Sequence, residues 1–110
     1  MNVLVLSTAP DRDTAQRLAR ELVERKLAAC VNIVPGIESI YHWEGKIHTD
    51  AELLLLIKTN AQLAPEALAA LEQLHPYDTP EGIVLPIEGG LKKYLAWIGE
   101  STRQDCDSLG

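Results

Sequence analysis

The sequence predicts an α+β fold in the order βαββαβ with a short helix after it, and three observations predict it. Two stretches repeat apolar residues at helical spacing, two long extended segments meet at the turn signal Glu44-Gly45, and short apolar runs open and close the set. The 110 residues, 46% hydrophobic with two cysteines, describe one soluble domain and exclude collagen, disordered and disulfide-scaffold classes. A monomer of this size buries only about two-thirds of its unfolded surface. Its core must be built without phenylalanine, from seventeen Leu, twelve Ala, eight Ile and six Val.

Val3 to Ser7 reads as a buried first strand, stopped by Thr8-Ala9-Pro10-Asp11. Asp11 and Asp13 are both candidate N-caps for the helix that follows, and Asp13 with Gln16 approximates a capping box. Ala15, Leu18, Ala19, Leu22 and Val23 fall on one face of that helix. Its outer face pairs Arg20 with Glu24 and Glu21 with Arg25, each contributing a few tenths of a kcal/mol.

Cys30 to Trp43 is extended, with a bulge or bend expected at Pro35-Gly36, and Lys46 to Thr59 answers it across Glu44-Gly45 as a long hairpin. The run Leu53 to Ile57 alternates its side chains onto both faces of the sheet, so both faces need apolar cover. Leu63, Ala67, Leu71 and Leu74 share one face of a second helix, which takes Pro65 in its first turn and ends at His75-Pro76. Ile83 to Ile87 is a fourth strand, and Pro86 marks it as an edge or a strand end. Gly89-Gly90 then breaks the chain before a short helix carrying Leu91, Tyr94, Leu95 and Ile98. The domain is expected over 1–102, with a ragged tail over 103–110.

This order is that of a ferredoxin-like sandwich, in which both helices cover one face of an antiparallel sheet and the other face is bare. Because Leu53 to Ile57 is apolar on both sides, a second copy of the chain is expected on the bare face.

Ten Lys plus Arg against sixteen Asp plus Glu give a net charge of -6, and the basic residues do not cluster. Nucleic acid is therefore not an expected partner. No segment is long enough to span a bilayer and none reads as a signal peptide, so a cytoplasmic protein with no membrane partner is expected. In that reducing compartment Cys30 and Cys106 are expected as free thiols.

Motifs for covalent catalysis are absent: there is no Gly-x-Ser-x-Gly elbow, no phosphate loop and no Cys-x-x-Cys. The hairpin pairs residue 42 with 47 and residue 41 with 48, which turns His42 and His48 to opposite faces and leaves them as exposed strand histidines. His75 closes a helix beside Tyr77, Asp78 and Glu81, where the helix dipole alone would favour it. Lys58 ends a buried strand, and Trp43 beside the hairpin turn reads as a packing or interface anchor.

Three groups of residues carry a resemblance. Leu27-Ala28-Ala29-Cys30-Val31-Asn32-Ile33, then Pro35-Gly36-Ile37 with Tyr41-His42-Trp43-Glu44-Gly45-Lys46, then His75-Pro76-Tyr77 with Leu85-Pro86-Ile87 resemble the CutA divalent-cation-tolerance family in order and spacing. Tyr94-Leu95-x-Trp97-Ile98 closes the match. The resemblance implies a non-enzymatic, PII-like homotrimer with hairpin arms packing across subunits and a role in divalent-metal tolerance, copper foremost. It also implies a metal site or ligand pocket between subunits. Residues matching the family's cleft pattern are Tyr41, Trp43, Glu52, Lys58, His75, Tyr77 and Glu81, with His75 the metal donor.

Both charges, an imidazole and aromatic walls suit a small anionic or zwitterionic ligand as well as a metal. Copper-binding members can carry a cysteine late in the first strand and a His-His pair before Pro-Tyr, where this chain has Ser7 and Leu74. Losing those softer donors predicts weak copper binding. A signalling or small-molecule-binding trimer is the alternative, and an enzyme using His75 with a carboxylate ranks last.

Overall fold

In the computed structural model, which describes residues 1–104, the chain runs through β1 (Asn2–Ala9), α1 (Arg12–Glu24), β2 (Cys30–Trp43), β3 (Lys46–Asn60), α2 (Ala64–Leu74), β4 (Ile83–Pro86) and α3 (Lys92–Glu100). The four strands form one antiparallel sheet in the order β2-β3-β1-β4, the ferredoxin-like arrangement that the element order predicts.

Alternation along the strands assigns the two faces. Val3 and Val5 of β1, with Leu55 and Ile57 of β3, point toward the helices and join Leu18, Leu22 and Leu71 in the core. Fully burying side chains of this size contributes roughly 1.5–3 kcal/mol each. Leu4, Leu6, Leu54 and Leu56 occupy the alternate positions and point to the opposite, open face. The apolar run of β3 thus divides between two faces as its pattern predicts.

Asp11, not Asp13, is the N-cap of α1. Its Oδ1 accepts the Thr14 N–H at 2.8 Å, which holds the carboxyl below the ordinary carboxylate range. Of the two expected outer-face pairs, the ion pair formed is Glu21 to Arg25, at 2.9 Å. Val23, expected on the core face, is exposed, although Leu22 beside it in the same turn is fully buried. In α2, Leu63, Ala67 and Leu71 are buried, Pro65 lies in the first turn, and Leu74 packs partly buried against the core.

The open face is not wholly bare. Asn2 donates to the Leu95 carbonyl at 2.9 Å, and Asn60 donates to Thr102 Oγ1 at 3.0 Å, so α3 lies across one end of that face. Only Ile98 of its expected apolar face is buried, and Leu91 is 81% exposed. The first residues of the expected tail are fastened: Arg103 N–H donates to the Lys26 carbonyl at 2.9 Å, and its guanidinium pairs with Glu66. Residues 105–110, Cys106 among them, lie outside the described residues. Cys30 is a free, half-buried thiol.

Two features of the hairpin prepare the site. At its tip Glu44 and Gly45 both take positive φ, 52° and 77°, the two-residue turn whose twist matches antiparallel strands. Farther down, three steps along β2 from Val34 to Ile37 answer two steps along β3 from Leu54 to Glu52. One residue is therefore extra on β2, and Gly36 takes a φ of 83° to accommodate it.

Candidate functional site

That bulge decides which side chains meet. Before it, Asn32 and Val34 share the open face with Leu54 and Leu56. After it, the odd-numbered Ser39, Tyr41 and Trp43 take that face, opposite Asp50, His48 and Lys46. Without the extra residue, Tyr41 and Trp43 would face away from Asp50 and Glu52.

The lengths of β1 and β4 open the space beside them. The β1–β3 ladder stops at Ala9 opposite Leu53, so β3 from Lys46 to Glu52 has no β1 neighbour and the hairpin arm projects beyond the sheet. β4 pairs with β1 only from Val3 to Leu6, which frees the outer edge of β1 at Ser7 and Thr8. The segment 75–82 fills that edge. Ser7 Oγ donates to the Glu81 carbonyl at 2.8 Å, and His75 Nε2 lies 2.7 Å from the Thr8 carbonyl.

At the root of the arm these elements border an open cleft of about 640 Å³, within the range of small-molecule sites. Five of the sequence-predicted residues line it: Tyr41, Trp43, Glu52, Tyr77 and Glu81. Tyr77 Oη donates to Glu52 Oε2 at 2.8 Å, and Tyr41 Oη donates to Asp50. Glu52 is 8% exposed.

Both phenols are pushed above the ordinary tyrosine value of 10.0. For Tyr77 the first cause is burial and the second its bond to Glu52; for Tyr41 the bond to Asp50 comes first. The folded state therefore holds these protons more tightly than the unfolded chain. The resulting stabilisation is complete below pH 10 and is lost as pH rises through the folded values. Tyr77→Phe is expected to remove the most alkaline phenolate transition from an ultraviolet titration. Loss instead of an ordinary transition near the usual tyrosine value would show that Tyr77 ionises as an ordinary tyrosine.

Two predicted residues stand elsewhere. Lys58 shares the open face with Glu52 but lies six residues further along β3, about 20 Å at the rise of a strand. Its Nζ donates to Asn32 Oδ1 at 2.5 Å and to Tyr94 Oη at 3.2 Å, under α3. His75 is adjacent to the cavity but 7% exposed. Its Nε2 meets a carbonyl, so that nitrogen carries the hydrogen, and Nδ1 accepts the Tyr77 N–H at 3.2 Å. Both ring nitrogens are committed to backbone, and the imidazole has no lone pair to offer a metal while these bonds hold. Its ring also packs on Tyr77, with centroids 4.6 Å apart.

Sequence reading did not place Asp50 and Thr8 in the site. Asp50 was within reach of it, since it stands two residues before Glu52 and so on the same face. Thr8 depends on where β1 ends. With Asp50 and Asp78 added, the cavity carries four carboxylates, and no Lys or Arg is among its lining residues. Within one chain, therefore, Lys58 stands outside the cavity and does not meet its carboxylates. Among the described residues, no group of three or more His, Cys, Asp or Glu is placed to hold a metal ion. His42 and His48 lie on opposite faces as expected, with His48 stacked on Tyr41.

The chain matches the model of the CutA1 divalent ion tolerance protein family over residues 3–101. It is 50% identical to the divalent-cation tolerance protein CutA of Pectobacterium atrosepticum, over 92% of each chain. It is 52% identical to protein CutA 1, chloroplastic, of Oryza sativa over 94% of this chain, but spans only 58% of that relative. Its fold is that of the divalent cation tolerance protein Cut A1 of Thermus thermophilus. The TM-score is 0.91 at 48% identity, covering 94% of this chain and 100% of that one.

Proposed function

Since the chain belongs to the CutA1 divalent ion tolerance protein family, we propose that it serves divalent-cation tolerance, copper foremost, as a cytoplasmic homotrimer that binds a small ligand and holds metal only weakly. The role is that of a non-enzymatic divalent-cation tolerance protein. Relatives are named both chloroplastic and periplasmic, so the compartment varies within the family.

One observation carries the reading of the site: an aromatic-walled cleft, open to solvent, whose carboxylates do not converge, beside a histidine with both nitrogens engaged. Such a donor set does not fit a tightly held copper ion, which favours converging imidazole and thiolate. Self-association is supported by the apolar open face, where Ile83 and Leu85 of β4 are exposed beside half-buried Leu4 and Leu6.

Native mass spectrometry of the metal-stripped protein, with one equivalent of copper or zinc per chain, tests both parts. A trimer that stays largely metal-free is expected. A monomer would remove the assembly, and a sub-micromolar copper affinity lost in His75→Ala would overturn the weak-metal reading.

A further inference from the structure

We draw no further inference here: the strongest candidate, the groove of about 440 Å³ between the end of α1, α2 and Arg103, carries nothing, since its arginines, Arg25 and Arg103, are already paired with Glu21 and Glu66 and nothing in the structure shows what fills it.

Discussion

His75→Ala is expected to lower the unfolding free energy by about 3 kcal/mol, equally in metal-free buffer and with copper present. The substitution strips a buried partner from the Thr8 carbonyl and from the Tyr77 N–H, and each such orphaned group costs about 1–3 kcal/mol. It also leaves a void against the Tyr77 ring. His75→Gln should recover part of the loss, because its amide offers one donor and one acceptor at similar reach. Urea unfolding with and without chelator is the measurement. A loss seen only with copper would make His75 a metal donor, whereas a loss independent of metal makes it the clamp between β1 and the 75–82 segment. Tyr77, which this clamp positions, is the residue that secures Glu52 in the cavity.

Leu56→Glu is expected to dissociate the proposed assembly while leaving the subunit folded. Leu56 lies at the middle of the open face, opposite Leu6 on β1 and Asn32 on β2, and is half-buried in the single chain. A glutamate there can reach water in the monomer, so its cost to folding is small. In an assembly that covers this face, every copy would bury an unpaired carboxylate, at several kcal/mol each. Sedimentation velocity at micromolar concentration should show the variant as a monomer with an unchanged far-ultraviolet spectrum. A sedimentation coefficient equal to that of the unmutated protein would move the interface to another surface, for which Trp43 and Ile47 on the exposed arm are the next positions to test.

Much of the fold was legible because local rules act within a few residues. The apolar spacing of α1, the turn at Glu44-Gly45 and the arrest at His75-Pro76 each depend on neighbours in sequence, and the structure follows them. The hairpin register was legible too, since a two-residue turn pairs 43 with 46 and every pair behind it as far as the bulge. Errors fell where a distant element decides the outcome. Val23 fits the stripe of α1 and Leu91 is periodic with α3, yet both are exposed in the single chain.

The candidate site divides in the same way. From the sequence by itself came the element order and the long arm, because side-chain alternation and turn chemistry are local, while the family resemblance supplied five of the residues lining the arm's root. Tertiary structure alone decided the sign of the cavity and the role of the histidine. Glu52 and Lys58 share one face of one strand, and only the point where β1 ends places one in the cavity and the other under α3. His75 carries the same imidazole whether it binds metal or bridges backbone. The free edge of β1 at Thr8, left by a β4 only four residues long, engages its Nε2 and so selects the bridge.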